Sequence, residues 1–257
     1  MAQEIKKTAD IVPDLDTSDG SEATLHYNAI DASNSDMKSS PWEDSSRQEM
    51  LAFVPADARR ILDVGCNFGG FGRALKARSN PEVWGVEPNP ATAAAASKFL
   101  DRVINDFFGA NISLPDKYFD VIVFNDVLEH MPDPWAALKI AREKLASGGR
   151  VVVSIPNLRY VENLLHILKE RDFEYEASGI RDKTHLRFFT KKSALRLFEG
   201  SGLQVVHLEG INEEWWTPSI LRRLSYRFFR NYLDDTRFIQ YAIVATEDDP
   251  TQIKSRL

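Results

Sequence analysis

A glycine-rich turn between an apolar run and a helical pattern is the first feature of the sequence with a chemical use. In ILDVGCNFGGFGRAL, residues 61–75, Gly65 and Gly69 let the backbone approach a ligand closely, and the helix start presents free N–H groups. Glu87 ends the next apolar run, 24 residues after Asp63, where a carboxylate can accept hydrogen bonds from both hydroxyls of a ribose. An ordinary turn and a solvated strand end are the simpler interpretations. The pair at this spacing favours a nucleotide-like ligand.

A second group of polar residues follows a later apolar run. Glu129 and His130 lie in NDVLEHMPDP, directly after FDVIVF, and His185 lies in THLRFFT. Histidine titrates near neutral pH and is a natural general base, whereas capping of a loop or helix is the structural alternative for both histidines. Three further side chains are candidates for binding a polar or anionic acceptor, with loop closure as the alternative: Asn157, Arg159 and Arg187.

These residues require a scaffold that brings several strand ends together. From residue 60 onward, runs such as RILDV, EVWGV, FDVIVF and VVVSI alternate with helical patterns, which predicts a doubly wound α/β fold. The runs carry no polar alternation, as expected for parallel strands covered on both faces. A helix at about 191–200, a strand at LQVVHLEG and a strand near FIQYAIVAT follow. Gly148 and Gly149 are predicted to end the helix that precedes VVVSI.

Composition and charge indicate a globular protein with an acidic N-terminal segment. The chain has 257 residues, 43% of them hydrophobic, and a net charge of -6. Residues 1–50 contain eleven acidic and four basic residues, a balance of -7, which leaves about +1 for the rest. A nearly neutral body does not favour nucleic acid as a partner. With no apolar run of about 18 residues, no signal-peptide pattern and a single cysteine, Cys66, we expect a cytoplasmic protein.

The chain is predicted to have three parts. Residues 1–25 are rich in Asp, Ser and Thr and indicate a flexible acidic tail. Residues 26–55 indicate a lid that ends in a short helix. Residues 56–257 form the main domain, with an insertion at 158–190 that follows a strand and lies at the carboxyl edge of the sheet, where ligands bind in open α/β folds.

These motifs together resemble the class I S-adenosylmethionine-dependent methyltransferases over about residues 55–247. The resemblance implies a Rossmann-like fold with a seven-stranded, mostly parallel sheet, and S-adenosylmethionine as the cofactor. LDVGCNFG is similar to the family's first motif, in which Asp63 and the Gly65 backbone hold the methionine moiety, and Glu87 is similar to its ribose-binding acid. The other cofactor-binding residues that the resemblance implies are Arg47 at the donor's carboxylate, Cys66, Asn67 and Gly69 in the loop, Asp106 at the adenine, and Asn125 and Asp126 beside the methyl donor.

One position departs from the family's pattern. Asn67 stands where the family has its middle glycine. Asparagine is the non-glycine residue that best tolerates a left-handed backbone, so we expect the turn to survive. An NAD-type Rossmann enzyme is the rival interpretation, because GCNFGG is one substitution from GxGxxG. That class does not explain NDVLEHMPDP, the late helix or the terminal strand.

The acceptor-side motifs resemble a subgroup that methylates oxygen. DVLEHMPDPW, SIPN and HLRFFT are similar to the ubiquinone-pathway O-methyltransferases and, more fully, to relatives assigned to surface glycans. The resemblance implies methyl transfer to a hydroxyl of a carbohydrate or surface-glycan intermediate, such as a lipopolysaccharide or exopolysaccharide precursor, with His130, His185 and Glu129 as catalytic residues. A small-molecule enzyme for a phenol or carboxylate, and a non-catalytic donor-binding module in glycan assembly, are the alternatives.

Two further expectations concern a metal and a partner surface. The ubiquinone-type relatives place an acidic, acidic, histidine set where this chain has Asp126, Glu129 and His130, so a divalent metal there is an alternative that we do not favour. Ile220–Leu233 is predicted to be an amphipathic helix with a basic stripe. Packing on the sheet edge competes with contact to a membrane surface or an anionic glycan. The oligomeric state is left open.

Overall fold

The computed structural model describes residues 46–213 and 232–247. The predicted tail, residues 26–45 of the predicted lid and residues 220–231 of the predicted amphipathic helix lie outside the described residues. The predicted short helix at the end of the lid is present, and its Met50 side chain is fully buried.

Strands and helices alternate along the described chain as the sequence pattern predicts. The strands are β1 (Arg60–Val64), β2 (Glu82–Val86), β3 (Arg102–Ile104), β4 (Phe119–Asn125), β5 (Leu145–Pro156), β6 (Leu203–Ile211) and β7 (Gln240–Glu247). The α-helices are α1 (Gln48–Leu51), α2 (Gly70–Ser79), α3 (Pro90–Ala96), α4 (Pro134–Lys144), α5 (Val161–Glu170) and α6 (Lys191–Glu199). Short 3₁₀ turns cover Leu128–His130 and Asp234–Arg237.

The seven strands form one sheet in the order β3-β2-β1-β4-β5-β7-β6. Strands β1 to β5 pair in parallel with their neighbours among themselves, and β7 is antiparallel to both β5 and β6. This topology confirms the predicted seven-stranded, mostly parallel Rossmann-like sheet with an antiparallel last strand.

The central strands are buried on both faces because alternate residues enter two separate apolar layers. Ile61 and Val123 belong to one layer, and Leu62 and Ile122 belong to the other. This is the physical cause of the missing polar alternation in the sequence. Burial of both layers fixes the register of the strands, because a slip by one residue would exchange the two faces.

Register brings the ends of three strands together. Val64 at the end of β1 lies beside Val86 of β2 and Phe124 of β4. The next residues along the latter two strands, Glu87 and Asn125, therefore lie at one edge of the sheet together with the glycine-rich turn. This edge is where open α/β sheets bind ligands.

The boundary between α4 and β5 differs from the prediction. The helix ends at Lys144, and Leu145 already pairs with Phe119 of β4. Gly148, with φ 76°, lies inside β5, where the register with β4 shifts. The prediction that Gly148 and Gly149 end the helix is therefore wrong, because these glycines serve an irregular strand.

The predicted insertion contains α5 and a long loop that returns to the sheet. Its two ends meet at β5, because the Leu158 N–H donates to the Phe189 carbonyl at 2.8 Å. Thr190 and Ser193 then form a capping box that starts α6. No helix within residues 46–213 and 232–247 combines the length and apolar character that a membrane crossing needs.

Candidate active site

The turn after β1 has the backbone geometry that a close approach of ligand requires. Gly65 and Gly69 have φ of 70° and 79°, and Asn67 has φ of 49°. The left-handed backbone expected at Asn67 is therefore confirmed. The Gly65 N–H donates to the Val86 carbonyl at 2.8 Å, and a Cβ at Gly65 would lie 2.6 Å from Val127 Cγ2. Glycine is required here by both conformation and space.

Glu87 is held rigidly at the end of β2. Its two carboxylate oxygens accept hydrogen bonds from the backbone N–H groups of Asn67 at 3.0 Å and Asn89 at 2.9 Å. The Asn105 side chain donates to the Glu87 carbonyl at 2.8 Å. Each carboxylate oxygen retains a lone pair, so the group is positioned to accept hydroxyl donors. Sequence reasoning missed Asn89 and Asn105, which act through local turns rather than through a motif.

Asp63 and Asn125 present buried polar atoms beside this turn. Among the described residues, Asp63 Oδ2 and both side-chain polar atoms of Asn125 are buried without a hydrogen-bond partner. Burial, followed by the charge of Glu87, raises the pKa of Asp63 to about 7, and Arg47 opposes this effect. Buried polar atoms are normally satisfied, so these groups indicate a ligand that supplies their partners.

Arg47 and Asp126 are joined across the site. The Arg47 guanidinium donates to the Asp126 carboxylate, to Ser154 Oγ at 3.0 Å and to Glu49 Oε1 at 2.7 Å. Asp126 also accepts from Gln240 Nε2 at 2.7 Å and from Ser154 Oγ at 2.9 Å. Ser154 and Gln240 were missed because they come from β5 and β7, far from the motifs in sequence. The network fixes Arg47 at the donor edge of the sheet.

Two other predicted cofactor residues have contrasting surroundings. Cys66 is buried against Gly85, and burial together with the charges of Asp63 and Glu87 raises the pKa of its thiol far above the ordinary value. It is therefore a neutral packing residue of the loop. Asp106 is exposed after β3, and its carboxylate accepts from the Phe107 N–H at 2.7 Å.

Glu129, His130 and His185 come together on the acceptor side. Glu129 and His130 lie on the 3₁₀ turn after β4, and His185 comes from the insertion. The two imidazole rings are 4.7 Å apart between centroids in an edge-on arrangement. The Leu186 and Arg187 N–H groups donate to the Glu129 carbonyl at 2.8 Å and 3.0 Å. These two bonds fasten the insertion to the end of β4.

The hydrogen bonds of both histidines define their tautomers. His130 Nδ1 lies 3.3 Å from the Thr184 carbonyl and 3.1 Å from Thr184 Oγ1, and His185 Nδ1 lies 3.0 Å from the Ile180 carbonyl. A carbonyl only accepts, so Nδ1 carries the proton in each ring and Nε2 carries the lone pair. Burial, followed by the neighbouring His185, lowers the pKa of His130, which favours a neutral imidazole.

Glu129 is a buried carboxyl group with unsatisfied oxygens. Within the described ranges neither oxygen has a hydrogen-bond partner, and Oε1 lies 4.0 Å from His185 Nε2. Burial, followed by the charge of Asp126, raises the pKa of Glu129 well above its usual range. One ligand atom from each of Glu129, His130 and His185 lies within 4.8 Å of the others, so this set can hold a divalent cation. The predicted set had Asp126 in place of His185, but the carboxylate of Asp126 is bound by Arg47.

The three predicted acceptor-binding side chains are engaged in loops. Asn157 is fully buried and donates to the Asp235 and Phe238 carbonyls at 2.7 Å and 2.9 Å. Arg159 forms an ion pair with Asp235 at 2.7 Å. Arg187 donates to the Pro132 carbonyl at 2.6 Å. These contacts are the loop closures of the alternative interpretation, and acceptor binding by the three side chains stays a prediction.

The Rossmann-like sheet and the polar groups at its carboxyl edge are typical of proteins that bind a nucleoside cofactor. The sequence profile of a methyltransferase domain family matches residues 40–208, more than half of the chain, and the chain belongs to that family. It is an S-adenosylmethionine-dependent methyltransferase, which excludes the NAD-type alternative.

Individual relatives agree with this family. The ubiquinone biosynthesis O-methyltransferase of Aeromonas salmonicida (strain A449) is 29% identical over 162 residues, which cover 60% of this chain and 66% of that enzyme. The trans-aconitate 2-methyltransferase of Methylobacterium radiotolerans is 33% identical over 111 residues, 42% of this chain and 43% of that enzyme. The structure of a methyltransferase from Archaeoglobus fulgidus shares the fold with a TM-score of 0.58 at 22% identity, covering 79% of this chain and 92% of that one.

The donor-side residues fit S-adenosylmethionine. The donor carries an ammonium and a sulfonium cation, and the unpartnered Asp63 oxygen is a buried acceptor for such a group. Glu87 offers oriented lone pairs for the ribose hydroxyls, and Asn125 offers both a donor and an acceptor. Arg47 places a cation at the same edge, where Asp126, Ser154 and Glu49 already bind it, and its contact with the donor's carboxylate stays a prediction.

Proposed function

We propose that this methyltransferase acts on oxygen, at a hydroxyl group of a carbohydrate acceptor. The observation that carries the proposal is the neutral imidazole of His130, whose Nδ1 is bound by Thr184 and whose Nε2 is left with a lone pair at the acceptor edge. His130 is only partly buried, so an acceptor can reach it. A neutral sugar hydroxyl is a poor nucleophile and needs a base of this kind.

The donor side positions the reacting carbon. When bound, S-adenosylmethionine supplies a methyl group on a positively charged sulfur. Glu87 accepts from the ribose hydroxyls, Asp63 accepts from the ammonium group, and Arg47 binds the carboxylate, so three separate contacts orient the donor. Gly65 and Gly69 let the backbone lie against it.

On the acceptor side, His130 acts as the general base and Glu129 lies beside it. With S-adenosylmethionine bound, His130 Nε2 would accept the proton of the attacking hydroxyl, and the donor would supply the methyl group that the hydroxyl oxygen takes up. A ligand oxygen of Glu129 lies within 4.8 Å of a ring nitrogen of His130, so the ionised form of this carboxyl can stabilise the imidazolium. His185, buried between Glu129 and the Ile180 carbonyl, keeps the group aligned.

The carbohydrate assignment is supported by sequence and chemistry. DVLEHMPDPW, SIPN and HLRFFT resemble surface-glycan methyltransferases more fully than ubiquinone-pathway enzymes. Three expectations stay predictions: the cytoplasmic location, the absence of nucleic acid as a partner, and contact of Ile220–Leu233 with a membrane surface or an anionic glycan. So does the division into tail, lid and main domain.

A carboxylate acceptor is the second candidate, favoured by the trans-aconitate methyltransferase relative. A carboxylate is already ionised at neutral pH and needs no base. Loss of His130 would then leave the methyl-transfer rate nearly unchanged. A purely donor-binding module would show no turnover with any acceptor.

The experiment that tests the proposal compares surface glycans from the host with and without this gene by mass spectrometry. We expect a mass difference of one methyl group per repeat, restored by purified enzyme and isotopically labelled donor. Identical glycans, together with transfer of label to a small carboxylic acid, would contradict it.

A further inference from the structure

A cavity with a mixed polar and apolar lining lies between α5 and the returning loop of the insertion. It has a volume of about 700 Å³, within the range of about 300 to 1,000 Å³ typical of ligand sites. Tyr160, His166, Ile180 and Arg181 are among the residues that line it. We propose that this cavity binds the sugar ring next to the one that is methylated, an inference that rests on the proposed function.

The cavity is connected to the acceptor side through two residues. Ile180 lines it, and the carbonyl of this same residue binds His185 Nδ1 at 3.0 Å. Ile239 also lines it, and the next residue, Gln240, donates to Asp126 at 2.7 Å. Gln240 pairs with Pro156 at the carboxyl end of β5. Two residues of the cavity lining therefore adjoin residues at the edge of the sheet that carries the reacting groups.

The charges of the lining disfavour an anionic ligand. Arg181 is buried and bound on three sides, by the Glu174 carbonyl, Asn163 Oδ1 and the Glu176 carboxylate. Lys169 forms an ion pair with Glu170 at 2.8 Å. Each cation of the lining already has a carboxylate of the same lining, so an anionic ligand would have to break an ion pair.

The hydrogen-bonding groups match hydroxyls. His166 Nε2 is buried and has no hydrogen-bond partner among the described residues, although it lies on the wall of the cavity. A hydroxyl both donates and accepts, and therefore satisfies an imidazole nitrogen in either tautomer. Leu165, Ile180 and Ile239 add apolar surface for the C–H face of a sugar ring. A neutral, polyhydroxylated ring fits this mixture.

Saturation-transfer NMR with a pool of neutral disaccharides, namely maltose, cellobiose, lactose and mannobiose at millimolar concentration, tests the cavity directly. We expect ring-proton signals with the full-length protein, loss of these signals in His166→Trp, which fills the cavity, and weakening in His166→Ala. Leu168→Trp is the matched control, because Leu168 lies on the same helix, is 75% exposed and does not line the cavity. Unchanged melting temperature and adenosylhomocysteine affinity show that the variants are folded.

The absence of signals from all four sugars, or equal signals in His166→Trp and Leu168→Trp, would overturn the subsite. Its failure is distinguishable from failure of the proposed function. If labelled methyl transfer to host glycan proceeds with the same KM in His166→Trp, the function stands and the subsite is wrong. If disaccharides bind in a His166-dependent way but no glycan is methylated, the cavity is a sugar site, but the proposed function and the assignment to a ring next to a methylated one are both wrong.

Discussion

Glu129 Oε1 lies 4.0 Å from His185 Nε2, and neither oxygen of this buried carboxyl has a hydrogen-bond partner within residues 46–213 and 232–247. The two residues are 56 positions apart in the sequence. Holding a buried carboxyl and an imidazole without a direct hydrogen bond lowers the stability of the fold. Such an arrangement is typical of groups that are completed by substrate or by a cation.

Replacement of Glu87 tests the ribose contact. Glu87→Ala removes two charge-assisted hydrogen bonds, each worth about 1.5 to 3 kcal/mol, so the affinity for adenosylhomocysteine should fall by about tenfold or more. Titration calorimetry measures the change. Glu143→Ala, an exposed acid on α4, is the control. Equal affinities in both variants would remove Glu87 from the ribose site.

Replacement of His130 separates the base from a structural role. His130→Ala should lower kcat by roughly a hundredfold, as expected on removal of a general base, with little change in donor affinity. His207→Ala, an exposed histidine bound to Glu209 on β6, should leave kcat unchanged. A fall in donor affinity or melting temperature without a fall in kcat would assign His130 to structure.

Chelation distinguishes the base from a metal ligand. If His130 acts as a base, treatment with EDTA should leave activity close to its starting value. Loss of activity on chelation that magnesium or manganese restores would instead support a cation at Glu129, His130 and His185. In His185→Ala, added metal should then restore no activity.

Donor affinity should depend on pH through Asp63. Its pKa of about 7 in the folded protein is raised by burial, so below that pH the carboxyl is mostly protonated. A cationic donor favours the ionised form, so binding releases a proton and affinity should rise from pH 5.5 towards 7.5. Calorimetry in buffers of different ionisation enthalpy measures the proton release. In Asp63→Asn the change of donor affinity with pH should be smaller. An unchanged pH dependence would assign the released proton to another group.

Replacement of Gly65 by alanine tests the backbone geometry of the glycine-rich turn. Gly65→Ala places a Cβ 2.6 Å from Val127 at φ 70°, a conformation that costs L residues about 1 to 2 kcal/mol even without the clash. We expect a melting temperature lower by several degrees, at about 2 to 4 °C per kcal/mol. Gly109→Ala, where nothing lies within 4 Å, is the control. Adding Val127→Ala should recover only the part due to the clash.

The sheet and the donor turn were predictable because their signals are local. Unbroken apolar runs indicate buried parallel strands, and left-handed positions need glycine or asparagine, as at Gly65 and Asn67. The roles of Ser154 and Gln240 were not predictable, because they depend on strand order. The contacts of Asn157 and Arg159 with Asp235 were not predictable either, because Asp235 lies far along the chain.

The acceptor side was predictable in residue type only. The resemblance grouped Glu129, His130 and His185 as catalytic residues, but the alternative metal set had Asp126 where the structure has His185. That grouping depends on how the insertion returns over β4. The end of α4 was misplaced for a related reason, because Gly148 serves an irregular strand.

The two bonds from Leu186 and Arg187 to the Glu129 carbonyl have an evolutionary consequence. They anchor the part of the insertion that carries His185, while Glu176 and Gly179 of the preceding segment line the cavity by α5. Under the proposed function, substitutions at Glu176 or Gly179 should change the preferred acceptor while the anchored His185 keeps its place. Acceptor choice and methyl-transfer chemistry could then evolve separately in adjoining segments of one loop.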